Sequence, residues 1–151
     1  PVPRAPSLQA MILTDGDRML LTPTYHVFDL YQGHMGARQV ETYAETRLFG
    51  DEQTALPNLQ VSASEKDGKL LITVVNLDDG QDADCRIDLG GARAGSASAR
   101  TLGGGVKRYN TFEQPELVKP AALAVRTAED GRTLEVKLPA GSVTAILAEE
   151  I

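Results

Sequence analysis

Two histidines, one cysteine, 21 acidic residues and a run of three glycines are the groups in this 151-residue chain with chemistry to offer. His26 and His34 stand eight residues apart, about two helical turns. Helical metal pairs usually sit four apart, and the pattern supplies no further ligand set, so both are expected in packing and hydrogen-bonding roles. Asp15-Gly-Asp17 opens like a calcium loop, but Met19 and Leu21 occupy the next ligand positions, which leaves a turn. Cys85 alternates with charged neighbours and reads as a small apolar side chain on a strand, far in sequence from any histidine that could activate it. Gly103-Gly-Gly105 lacks the Lys-Ser/Thr that follows the glycines of a phosphate-binding loop. Glycoside hydrolysis needs two carboxyl groups facing each other across a sugar, about 5–5.5 Å apart in retaining enzymes. The acids here fall in turns (Asp78, Asp79, Glu129, Asp130), on outward strand positions (Glu41, Glu45) or at the tail (Glu149, Glu150). None has the apolar setting that raises a catalytic pKa. On its own residues the chain is a module without an internal active site: catalytic residues none, metal none, cofactor none.

The elements that would carry these groups change character near Gly36. Three prolines within residues 1–6 read as a linker or frayed end. Leu8–Thr14 is a short, mostly apolar run, expected as a strand buried on both faces. Arg18–Leu21 resumes the apolar run after the Asp-Gly-Asp turn. Thr22 then stands as N-cap before Pro23 at the first helical position. Tyr25, Phe28, Tyr31 and Met35 follow at helical spacing, predicting a helix over about Pro23–Met35 with Gly36 as its C′ residue. The apolar stripe is wide, so an extensive partner surface is expected.

From Gln39 the period becomes two. Val40, Thr42 and Ala44 alternate with Glu41, Tyr43 and Glu45, and Leu59–Glu65 alternates cleanly. Lys66-Asp-Gly-Lys69 predicts a hairpin turn, and Leu70–Asn76 a central strand. Further strands are predicted at Ala83–Leu89, Ser96–Leu102, Leu123–Thr127, Thr133–Leu138 and Ser142–Leu147. Residues 103–120, with three glycines and two prolines, read as a long ordered loop. About eight short strands with turns every eight to twelve residues predict a mainly β fold, an antiparallel β-sandwich of jelly-roll type.

Composition narrows the partners. A net charge of −6 repels phosphate backbones, so nucleic acid is not expected. No apolar run nears the ~20 residues that cross a bilayer, so no membrane is expected. The absence of Trp argues against an exposed sugar-stacking platform.

The run Leu8-Gln-Ala-Met-Ile-Leu-Thr-Asp-Gly-Asp-Arg-Met-Leu-Leu-Thr-Pro-Thr-Tyr-His-Val-Phe-Asp-Leu-Tyr31 resembles the end of the catalytic barrel in α-L-arabinofuranosidases of glycoside hydrolase family 51. Ile72-Thr-Val-Val-Asn-Leu-Asp78 and Arg108-Tyr-Asn-Thr-Phe-Glu-Gln-Pro-Glu-Leu-Val-Lys-Pro120 are similar to their C-terminal domain. The resemblance implies a (β/α)8 barrel followed by a β-sandwich, and removal of terminal α-L-arabinofuranosyl units from arabinan and arabinoxylan with retention. It places the catalytic glutamate pair upstream of these residues. Residues 1–37 would then be the Pro-rich start, last strand and last helix of the barrel, and 38–151 the sandwich. Gln9 would be the glutamine that hydrogen-bonds arabinose in the −1 subsite. The implied partners are the upstream barrel, arabinose-containing oligosaccharides and further copies in a homo-oligomer, in the cytoplasm. The alternative from the residues is a non-catalytic carbohydrate-binding or subunit-interaction module.

Overall fold

The computed structural model describes residues 10–150. Strands β1 (Ile12–Asp15) and β2 (Arg18–Leu21) form an antiparallel hairpin, followed by helix α1 (Pro23–Tyr31) and a 3-10 turn at Gln32–His34. Eleven strands follow: β3 (Arg38–Val40), β4 (Leu48–Phe49), β5 (Leu56–Pro57), β6 (Leu59–Lys66), β7 (Lys69–Asn76), β8 (Ala83–Asp88), β9 (Ser96–Leu102), β10 (Ala121–Leu123), β11 (Val125–Thr127), β12 (Thr133–Leu138) and β13 (Ser142–Glu149). They build a six-stranded sheet in the order β10-β9-β13-β7-β6-β3 and a three-stranded sheet in the order β11-β12-β8, with β4 and β5 as a small separate hairpin. Every pairing is antiparallel. The mainly β antiparallel sandwich expected from the alternating runs is what forms.

Period-two alternation sorts each strand between two layers. On β7, Leu70, Ile72 and Val74 face the interior between the sheets. There they meet Leu134, Val136 and Leu138 of β12 and Ile146 and Ala148 of β13. The other face of the large sheet is also covered at its centre. Leu30 of α1 packs with Leu102 of β9, Ala145 of β13 and Val118 of the 103–120 loop, flanked by Val27, Tyr31, Leu71 and Val143. The molecule is thus three layers deep where α1 crosses β9 and β13. Gly33 fits this packing, because a Cβ there would stand 2.8 Å from Leu71 Cδ2.

The turns follow their chemistry. Asp67 and Gly68, between β6 and β7, both hold positive φ (52° and 72°), the I′ geometry that suits a two-residue hairpin. Four expectations need correction. Of Leu8–Thr14, expected as one doubly buried strand, Leu8 and Gln9 lie outside the described residues and 10–14 are not buried on both faces. Among the described residues, strand pairing begins at Ile12 and runs back on Arg18–Leu21, leaving Ile12 and Met19 exposed. The helix ends at Tyr31, and the chain tightens into the 3-10 turn. Gly36 (φ 67°) serves instead at the third position of a type II turn, closed by Ala37 N–H donating to the His34 carbonyl at 3.2 Å.

The alternation over Val40–Ala44 stops pairing at Val40. Val40 lies opposite Ala63, and Asn58 N–H donates to the Arg47 carbonyl at 2.9 Å. Seven steps on one side against five on the other force residues 41–47 to bow away from β6. Leu123–Thr127 is likewise two strands. The chain leaves the large sheet after Leu123 and joins the small one at Val125.

Candidate functional site

The hairpin, α1 and the 103–120 loop make one assembly on the outer face of the large sheet. Leu20 is buried to 2% exposure. Asn110 is the side chain that locks the parts together. Its Nδ2 donates to the Leu21 carbonyl (2.9 Å) and the Val118 carbonyl (2.8 Å), and its Oδ1 accepts from Val118 N–H at 2.6 Å. One buried amide therefore satisfies three backbone groups across the loop and the hairpin exit. At the tip, Arg18 pairs with Asp15, and its guanidinium carbon lies 4.8 Å from the centre of the Phe112 ring. Thr22 stands at the N-cap with extended backbone, as expected, but its hydroxyl does not cap the helix. It donates to the Ala10 carbonyl at 2.7 Å, fastening the chain entering β1 to the start of α1.

Of the two histidines, His34 takes the hydrogen-bonding role, and the half-buried His26 stands edge-on to the Tyr25 ring at 5.5 Å. His34 Nε2 is 3.0 Å from Thr73 Oγ1 and Nδ1 is 2.6 Å from Ser64 Oγ, which fastens the 3-10 turn to β7 and β6. Burial pushes its pKa below the ordinary 6.5. Burial lowers His26 too, with Asp29 opposing the shift and Arg100 adding to it. Asp29 accepts from Arg100 at 3.0 Å, clipping α1 to β9. Beside that clip an open groove of about 400 Å³ runs over Leu71 and Leu147. Of its cations, Arg100 and Lys69 are engaged with Asp29 and Glu149, and Lys66 Nζ lies 3.5 Å from the Met35 carbonyl oxygen.

No acid here has the character of a proton donor at neutral pH among those whose titration is displaced. Asp51 is held below the carboxylate range by the Thr54 hydroxyl and neighbouring N–H groups, Asp78 by the Gly80 N–H and Arg47, and Glu116 by Lys119. A general acid needs the opposite shift. Burial raises the pKa of the Cys85 thiol, which packs against the sandwich interior, a shift away from the thiolate that a nucleophile needs. Gln9 lies outside the described residues. Among those residues, no three His, Cys, Asp or Glu side chains gather as metal ligands. Among the described residues, no helix is long and apolar enough to cross a membrane.

Sequence reasoning passed over Asn110, Arg18 and Phe112. Arg18 and Phe112 lie 94 positions apart, and no periodicity links them. Asn110 sits in an irregular stretch where an amide looks like any turn former.

The family model for the α-L-arabinofuranosidase C-terminal domain matches residues 5–142, nearly the whole chain. The chain belongs to that family. It is 36% identical over 143 residues to an intracellular exo-α-L-arabinofuranosidase of Bacteroides ovatus, a match that covers 92% of this chain and 27% of that protein. Among solved structures it superposes on the GH51 arabinofuranosidase of Xanthomonas axonopodis pv. citri with a TM-score of 0.86 at 36% identity, over 93% of this chain and 29% of the other. The α-L-arabinofuranosidase of Thermotoga maritima, solved as an arabinose complex, gives 0.79 at 26% identity, over 93% and 31%. The chain thus spans less than a third of the length of each. The family match runs across hairpin, helix and sandwich alike, so the assembly around Asn110 belongs to the family's domain as much as the sheets do.

Proposed function

We propose that this chain is the C-terminal part of a retaining α-L-arabinofuranosidase that removes terminal, non-reducing α-L-arabinofuranosyl residues from arabinan and arabinoxylan. The observation that carries this reading is the family match over residues 5–142. Residues 1–37 contribute the last strand and helix of a catalytic barrel, and 38–151 the sandwich that braces it. The outward side chains of the hairpin–helix unit support this division. Phe28 (59% exposed), Met35 (76%), Ile12 and Met19 present apolar surface of the kind a neighbouring domain covers. Gln9 contacts the arabinose in the −1 subsite, its amide both donating to and accepting from hydroxyls. The parent enzyme works in the cytoplasm as a homo-oligomer.

The isolated 151-residue chain is expected to show no turnover of an aryl α-L-arabinofuranoside, whereas the full-length protein hydrolyses it. Activity in the isolated chain, or none in the full-length protein, overturns this function. In the full-length protein, Gln9→Ala should lower kcat/KM about tenfold, the loss of one to two hydrogen bonds.

A further inference from the structure

The β1–β2 hairpin lies between the chain entering at Ala10 and helix α1. In the proposed barrel it is a strand-to-helix connection, and such connections stand on the face where barrel active sites are built. Its arms are four residues each, so the tip rises about 13 Å at the usual strand rise. In that barrel the tip would stand out from the strand ends, towards the groups attached to a ring held there.

The sandwich supplies the rest of this rim. The hairpin face carrying Leu13, Asp15, Arg18 and Leu20 turns towards the 103–120 loop, since Leu20 is buried and Arg18 lies over Phe112. Asn110 holds that loop to the exit of β2, and its chain neighbour Tyr109 is 67% exposed. Carboxylates at Asp15 and Asp17, a guanidinium 4.8 Å from the centre of an aromatic ring and an exposed phenol are groups that sugars bind. The charged groups take hydroxyls, and the aromatic faces take the C–H faces of the rings.

We propose that the hairpin tip (Asp15, Asp17, Arg18), with Phe112 and Tyr109 of the sandwich loop, contacts the sugars on the leaving-group side of the scissile bond. The sandwich thereby shapes the choice among polysaccharide fragments as well as bracing the barrel. This rests on the barrel reading above.

The test uses the full-length protein with Arg18→Ala, Tyr109→Ala and Arg18→Lys. Kinetics are measured on an aryl α-L-arabinofuranoside, whose leaving group carries no sugar, and on an arabinofuranosyl-substituted oligosaccharide. The expected loss in kcat/KM on the oligosaccharide exceeds that on the aryl substrate by about threefold to tenfold for each alanine variant, the scale of one or two hydrogen bonds. It appears mainly in KM, and Arg18→Lys falls between wild type and Arg18→Ala. Equal losses on both substrates, or none on either, overturn the proposal and leave these residues a role in holding the scaffold. A wild-type protein that turns over neither substrate brings down the proposed function and this inference together.

Discussion

The two faces of the large sheet are covered in different ways. Between the sheets, Leu70, Ile72, Val74, Leu134, Val136, Leu138, Ile146 and Ala148 make a continuous apolar interior. On the outer face, the apolar contact around Leu30 is a smaller island. Polar links surround it: His34 to Ser64 and Thr73, Asp29 to Arg100, and Asn110 to Leu21 and Val118. Burial is roughly indifferent to direction, whereas hydrogen bonds fix it. The interior holds the sandwich together, and the outer face sets where the hairpin and helix stand on it.

The largest test of that difference is to hollow out each side. Ile146→Ala, at a site with 0% exposure, should cost about 2–5 kcal/mol and lower the urea midpoint of the whole sandwich. Leu30→Ala should act locally, with the amides of α1 losing protection in hydrogen exchange before those of β7 and β13. If both variants unfold the domain as one unit, the two faces are a single cooperative body.

A middle-sized test is Asn110→Ala. It strips a partner from the Val118 N–H and from two carbonyls. Leaving such groups unsatisfied costs about 1–3 kcal/mol. The expected readout is faster proteolysis within residues 103–120 with the sheets still folded. Loss of sheet structure at the same rate would mean the loop is integral to the sandwich.

The smallest expected effect is with pH. Both histidines sit below 6.5 when folded, so the folded chain binds fewer protons than the unfolded chain as the medium turns acidic. Their contribution is fully present above 6.5 and is lost as pH falls below it through the depressed values. The groups facing His34 are the Ser64 and Thr73 hydroxyls and the Tyr31 ring, none an anion that would steady an imidazolium. The midpoint of thermal unfolding should therefore fall between pH 7.5 and 5.5, and His34→Gln should flatten the slope. An unchanged slope would place the effect on His26.

Much of the interior side was legible because alternation and turn chemistry act locally. Ser96–Leu102 and Thr133–Leu138 begin and end where their apolar periods do, and Lys66-Asp-Gly-Lys69 turns where Asp-Gly demands. The outer side was less so. The turn at Asp15-Gly-Asp17 was legible, but nothing local says that Arg18–Leu21 pairs back on Ile12–Asp15 and leaves Ile12 and Met19 exposed. The bow at 41–47 depends on where Asn58 captures Arg47, and the split at Ala124 on a second sheet offering an edge. The resemblance at Thr22–Tyr31 located the family. The residues that join the site, Asn110 and the Arg18–Phe112 stack, are contacts across long sequence distances, which no pattern along the chain records.

The position of β13 has a further consequence. The last strand in order lies between β7 and β9, in the middle of the large sheet. Until it arrives, β9–β10 and β3–β6–β7 are two separate ribbons, each with an open apolar edge. A chain emerging from the ribosome must keep both halves apart and soluble until Ser142–Glu149 is made, and α1, which rests on Ala145, cannot settle before then. The first helix synthesised here is among the last to find its place.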